Sequence, residues 1–433
     1  MKMLAFLALC SPLLGLIATT TLPDAIAPTN PDLALRLSPN HPKALLVKAE
    51  ALRAKLLALS KSESADGSTQ PKSGTDHNTE RLTLRTEIRA LAHRAAQHDP
   101  LNSRAFLLLA ETSDDIAETR ALMKAAVARS RRESVAAFWL LNDAFQRGDT
   151  EATLANAEIL MRSRPELNAY VLGYLGQLGE TDDQRKLLVA WLAEPRNQKL
   201  RRTILMALPS YVRDAQTPQK IMSELATAGL VPSADELKPY LGLLAQKGHI
   251  ELAYYTWLKH LGSEGMKRAG NIYNSGFEED ASGLPFDWQI APPRNATVEI
   301  RRREDGQGRA LQLRFGAGRL DNLRLSQVML ISPGVYSFAW LYKGDISAKR
   351  GLRWQLTCFY PPHDRLLETE MMLGRQTEWS RMEARVTVPD RPNCRAQTLV
   401  LVHDARSSSE QLITGEAWFD DLKLSPAPPP PVQ

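Results

Sequence analysis

The chain has 433 residues, 43% of them hydrophobic and 24% charged, with a formal net charge of +5. This is the composition of a soluble globular protein with length for two or three domains, each with its own core. So mild a charge argues against a nucleic-acid partner, since such proteins concentrate basic residues on one face. The only tight basic run, Arg301-Arg302-Arg303, stands beside Glu304 and Asp305 and is expected to be a solvated turn.

Residues 1–27 read as a secretory signal peptide or an uncleaved signal anchor. Lys2 precedes an apolar run of about 15 residues, short for a spanning helix and interrupted by Pro12. Ala25-Ile26-Ala27 has the small-x-small form of a cleavage site, but Pro28 directly after it disfavours the peptidase, so both outcomes stay open. Cys10 invites a lipoprotein reading, which the bulky Leu9 before it opposes. In every version the chain is expected in the bacterial periplasm or envelope, soluble or held by a membrane anchor. The other cysteines, Cys358 and Cys394, form one disulfide or remain two buried thiols, and export favours the bridge. No paired CxxC occurs and the eight histidines are scattered, so no metal-ligand spacing is present.

Residues 30–262 read almost wholly as helices. Ala44 to Ala54 is made of strong helix formers. The polar Ser/Thr/Gly/Asp-rich segment 61–79 is expected to be a disordered insertion. Beyond it, helix starts recur after Pro100, Glu133 and Pro165, 33 and 32 residues apart. Ser233, with Glu236 three residues on, marks a further start. From Asn271 the pattern changes to short alternating segments. Leu311, Leu313 and Phe315 alternate with polar residues, as do Leu352, Trp354, Leu356 and Cys358, and Met382, Ala384, Val386 and Val388. Each is a strand with one face in a core. A proline-rich tail closes the chain over residues 426–433.

The spacing of the helical starts resembles tetratricopeptide repeats, whose period is about 34 residues and whose helix pairs stack because neither helix buries its apolar face alone. HDPLNSRAFLLLA and LSPNHPKALLVKAEAL look like such repeat junctions, although the family's Trp, Gly and Tyr positions are largely missing. Residues 271–425 resemble the jelly-roll modules of carbohydrate-binding families four and nine. Asn274-Ser275-Gly276-Phe277-Glu278, followed by Trp288, resembles their opening strand. Ser332-Pro333-Gly334-Val335-Tyr336 resembles their Pro-Gly turn into an aromatic strand, and Gly415 to Leu422 their closing strand. The expected fold is therefore α+β and multidomain: an N-terminal α-solenoid followed by a C-terminal all-β jelly-roll sandwich.

The resemblance implies that the first and last strands lie side by side and hold a structural calcium ion through Glu278 with Asp420 or Asp421. The alternative is that these acids cap a turn or pair with arginines. Sugar sites need aromatic platforms flanked by hydrogen-bonding groups, yet most aromatics here have the inward parity of their strands. Arg353, Gln355, Arg395 and Gln397 flank the two cysteines by alternation and form the candidate glycan face, or else an ordinary solvated one. No nucleophile elbow, phosphate loop or GxGxxG is present, nor a barrel pattern on which two carboxylates would flank a glycosidic bond. The expectation is thus a non-catalytic envelope scaffold, accessory to exopolysaccharide assembly or export. Its helical array would hold envelope proteins, and its sandwich would contact polysaccharide. A sandwich that binds protein is the alternative, and a glycan-active enzyme the lesser one.

Overall fold

The computed structural model describes residues 21–65, 74–291, 293–321 and 323–427. Fourteen helices among the described residues precede ten strands. The chain divides into two compact units, one ending at Leu200 and the other beginning at Arg201.

The first unit is helical: α1 (Leu22–Ile26), α2 (Pro31–Leu37), α3 (Pro42–Ala65), α4 (Gly74–His98), α5 (Ser103–Glu111), α6 (Ile116–Arg129), α7 (Ser134–Gln146), α8 (Thr150–Ser163), α9 (Asn168–Glu180) and α10 (Asp182–Ala193). Each helix packs on its neighbour in sequence, and α3 also meets α5 while α8 meets α10. Local chemistry sets the boundaries. Asp115 accepts from the backbone N–H groups of Ala117 and Glu118 to cap α6, and Asp149 accepts from Ala152 to cap α8. Gly148 has φ of 73°, a left-handed turn that glycine takes without steric cost, and it ends α7. Between helices, the core is aliphatic: Leu45 and Ala49 of α3 meet Ile88 and Ala92 of α4 and Leu108 of α5. Arg120 of α6 grips Asp143 of α7 through Nε and Nη2, both at 2.8 Å.

Two expectations change here. The insertion expected over residues 61–79 is shorter, because α3 continues to Ala65 and α4 starts at Gly74. Lys61 to Ala65 extend a helix already nucleated by the Ala/Leu-rich stretch before them, so their polarity does not stop it. Residues 66–73 lie outside the described residues, as do residues 1–20 of the signal or anchor segment and 428–433 of the tail. The tail also starts later than expected, since Pro426 is still opposite Tyr336 in the last strand. Among the described residues no helix is long and apolar enough to cross a membrane.

The second unit joins the final helices to the sandwich, where the sequence placed a boundary near residue 262. It holds most of α11 (Gln198–Ala207), then α12 (Thr217–Thr227), α13 (Ala234–Gln246) and α14 (Ile250–Arg268). Glu236 accepts from the Ser233 backbone N–H at 2.8 Å, the expected start of α13. The strands are β1 (Gln289–Ala291), β2 (Ala296–Arg302), β3 (Arg309–Phe315), β4 (Arg324–Met329), β5 (Gly334–Ala348), β6 (Leu352–Cys358), β7 (Arg365–Glu368), β8 (Gly374–Val388), β9 (Gln397–His403) and β10 (Ile413–Pro426). They form two antiparallel sheets of five strands, in the orders β1-β4-β9-β6-β7 and β2-β3-β10-β5-β8. The core between them holds Trp288, Trp340, Trp354, Phe338 and Phe419, all nearly inaccessible to solvent. Trp354 lies 5.9 Å from Trp288 and 5.5 Å from Phe419, ring centre to ring centre. These aromatics are large apolar surfaces whose removal from water drives the two sheets together.

The segment Asn274–Glu278, expected as the opening strand, is an irregular turn. Asn274 and Phe277 have φ of 48° and 52°, which no strand permits. The Asn274 side chain holds the turn from within, donating to the Glu279 carbonyl at 2.8 Å and accepting from its N–H at 3.2 Å. The turn still touches the closing strand, because Leu422 donates to the Ser275 carbonyl at 3.0 Å.

An aromatic seam fastens α14 to the sandwich. Trp257 of α14 lies 5.1 Å from Tyr273 and 5.6 Å from Phe286, and Tyr254 lies 5.3 Å from Phe286. A second tie runs from the Tyr360 hydroxyl to the Ala245 carbonyl of α13 at 3.1 Å. Truncation of a buried aromatic to alanine costs about 3–5 kcal/mol. Trp257→Ala is therefore expected to destabilise the sandwich along with the helices, in one cooperative transition. Urea unfolding followed by near-ultraviolet circular dichroism tests this; a loss below about 1 kcal/mol, or a sandwich that melts unchanged, contradicts it.

Candidate functional site

In the first sheet the alternation of β6 sends Leu352, Trp354, Leu356 and Cys358 into the core and Arg353, Gln355 and Thr357 outward. The register extends this outer face across the sheet. Gln355 is opposite Val400 on β9 and Glu368 on β7, Val400 is opposite Ser326 on β4, and Ser326 is opposite Gln289 on β1. One row of side chains therefore crosses all five strands. Beside it, Arg353 faces Val402, Thr357 faces Thr398, and Arg324 faces Ala291. Most of these side chains are partly open to solvent, so the face presents hydroxyl, amide and guanidinium groups over a floor of valines.

Its charges are organised around two carboxylates. Asp404 accepts from Arg353 Nη2 at 2.8 Å and from Arg350 Nε at 2.9 Å. Arg353 also pairs with Glu368, which pairs with Arg365. Burial works to raise the Asp404 carboxyl, but the hydrogen bond from Arg350 and the charges of Arg353 and Arg350 outweigh it and hold the group below the usual carboxylate range. Arg324 has no ion-pair partner among the described residues.

Cys358 and Cys394 form the expected disulfide, with Cα atoms 4.5 Å apart. The four residues grouped with them as a glycan face do not stay together. Arg353 and Gln355 share the outer face. Gln397 is fully buried and points into the sandwich, where its amide accepts from the Ile331 N–H at 3.0 Å and donates to the Ile331 and Cys394 carbonyls. Arg395 is exposed on the turn before β9. The cause is local: Pro392–Cys394 form a short 3-10 turn, so the strand begins only at Gln397, with the parity of its partner Cys358. Pro392 and Asn393 are the sequence signal of that turn. Arg324, Ser326 and Thr398 escaped notice because they join the face only through cross-strand register, and Asp404 because it joins through ion pairs with Arg350 and Arg353.

The ligand set expected for calcium is not assembled. Asp420 is buried, but one oxygen accepts from Arg303 Nη1 at 2.6 Å and the other from the Asp421 N–H at 2.7 Å. Glu278 accepts from the Arg309 N–H at 3.1 Å. Among the described residues no group of three or more His, Cys, Asp or Glu could hold a metal ion. Arg303 supplies the positive charge in place of the ion, and it also chelates Asp305 and stacks 4.2 Å above the Trp379 ring. The expected solvated turn therefore fails at Arg303, which is buried.

No protein-family model matches this sequence, and no curated protein matches it. Among solved structures, a CBM4 module is similar at 14% identity and a TM-score of 0.27, over 36% of this chain and 99% of its own. TmCBM61 in complex with β-1,4-galactotriose is similar at 17% identity and a TM-score of 0.26, over 37% of this chain and 100% of its own. The N-terminal cellulose-binding domain of Cellulomonas fimi β-1,4-glucanase C is similar at 16% identity and a TM-score of 0.25, over 37% and 100%.

The Asp404 cluster predicts a pH signature. A carboxyl held low in the folded state adds stability above its unfolded pKa, about 3.9, and loses it as pH falls through the folded value. Asp404→Asn is expected to cost about 1–3 kcal/mol at pH 7, with the difference from the parent shrinking below about pH 4. Thermal melts at pH 7 and pH 3 check this. An equal gap at both would show that the charge of Asp404 contributes nothing.

Proposed function

We propose that the protein is a non-catalytic scaffold of the bacterial envelope, accessory to exopolysaccharide assembly or export. Its TPR-like helical array engages protein partners, and its sandwich contacts glycan through the outer face of the first sheet. The observation that carries the reading is the row Gln289, Ser326, Val400, Gln355 and Glu368 across five strands, flanked by Arg324, Arg353, Thr357 and Thr398. Amide, hydroxyl and guanidinium groups at strand spacing suit the ring hydroxyls of a sugar chain laid across the strands. Support for the helical half comes from α5, α7 and α9, the first helices of successive pairs, which start at Ser103, Ser134 and Asn168 and so keep a repeat-like period. The apolar N-terminal run supports export.

A glycan array probed with the full chain tests the proposal. Retention of at least one polysaccharide class is expected, with binding at least tenfold weaker for the double variant Arg324→Ala, Gln355→Ala, both of which sit outside the core. Retention that survives this variant moves the site elsewhere. The absence of any retained glycan sinks the reading and leaves the sandwich as a protein-binding element.

A further inference from the structure

We propose that a groove along α6, α8 and α10 docks a partner-protein segment that is acidic at one end and apolar along the rest. This rests on reading the helical array as the protein-binding half of the molecule. The groove consists of two depressions of about 430 and 320 Å³. They are continuous, because Arg131 and Ile159 line both. Together they lie in the size range of sites that enclose a ligand, about 300–1,000 Å³. The sequence keeps the groove open with alanines: Ala128, Ala144, Ala152, Ala155 and Ala190 stand where longer side chains would fill it. Leu187 lies on its wall with 41% of its surface exposed.

Charge selects the occupant. The smaller depression is lined by Lys124, Arg131 and Arg147 and by no carboxylate. Arg147 is already paired with Asp143 and Asp149, whereas Lys124 and Arg131 have no ion-pair partner among the described residues. At the other end stand Glu151, Glu158 and Glu194, the last two paired with Arg196. A polyanion lying along the whole groove would meet these carboxylates and be repelled, so nucleic acid and uronate chains fit poorly. The aliphatic lining of Leu140, Leu154, Ile159 and Leu187 suits leucine-like side chains better than sugar rings. Trp191, which is 6% exposed, lines the larger depression with its indole N–H unpartnered among the described residues.

A display library of random dodecapeptides, panned on the full chain, tests the proposal. The enriched sequences are expected to carry Asp or Glu beside Leu, Ile or Phe. Their affinity, read by fluorescence anisotropy, is expected to fall at least tenfold with Lys124→Glu, Arg131→Glu, and to weaken as salt rises. Ala155→Trp, which fills the groove and leaves its charge alone, is expected to abolish binding as well. Far-ultraviolet circular dichroism shows that the variants keep their helices. A basic or uncharged consensus overturns the proposal. So does equal binding by parent and variants, which would place the peptide elsewhere on the array and leave the scaffold reading standing. Equally tight, Lys124-dependent capture of dextran sulfate overturns it by showing a general anion site. Glycan retention by the sandwich is read separately and does not depend on either variant.

Discussion

Packing of Trp288, Trp340, Trp354 and Phe419 between the two sheets is the interaction on which the rest of the sandwich depends. Each of these rings removes a large apolar surface from water, and Trp340, Trp354 and Phe419 fix the parity of the strands that carry them. Once Trp354 points inward, Arg353 and Gln355 must point outward, and register carries the same choice to Ser326, Val400 and Glu368. The commitment has a chemical consequence. None of the outward strand positions of the first sheet is aromatic, so a ligand there meets amides, hydroxyls and guanidinium groups and no stacking platform. Such hydrogen bonds compete with water and bring only about 0.5–1.5 kcal/mol each. On the proposed reading, a glycan is held there through many sugar units of a long chain rather than through one tight subsite.

The fold was legible wherever periodicity was unopposed. The alternation of Leu352 to Cys358 named both faces of β6, and the helix starts near Ser103 and Ser134 followed from the apolar pattern and the boundary residues before it. It failed where short-range chemistry overrides period. Pro392 and Asn393 turn the chain just before β9, so the count from Cys394 to Gln397 put a buried glutamine on the surface. Asn274 bends the expected first strand through its own side chain. The candidate site was only half visible for a different reason. Arg353 and Gln355 share one strand, but their neighbours Arg324, Thr398 and Asp404 come from distant stretches, and pairing register is not written in any local pattern.

Arg303 shows how one electrostatic problem admits two solutions. A buried carboxylate such as Asp420 costs several kcal/mol unless a counter-charge accompanies it. A bound cation and a guanidinium each supply that charge, and sequence alone does not distinguish them. Here the turn between β2 and β3 brings the arginine in, and the same turn reaches Lys343 of β5 through Glu304 and Trp379 of β8 through the ring contact. A short hairpin thereby bolts three strands of the second sheet.

The seam of Trp257, Tyr273 and Phe286, with the Tyr360 hydroxyl on α13, bears on how this sandwich is inherited. β-Sandwiches that travel between proteins do so as beads, cut at linkers that few contacts cross. This one has grown roots into the helices that precede it. A recombination event between α14 and Asn271 would strip one side of a shared aromatic core and leave Tyr273 and Phe286 facing water. The smallest piece that keeps this core whole therefore includes α13 and α14, and helices and strands are bound to travel together by the packing between them.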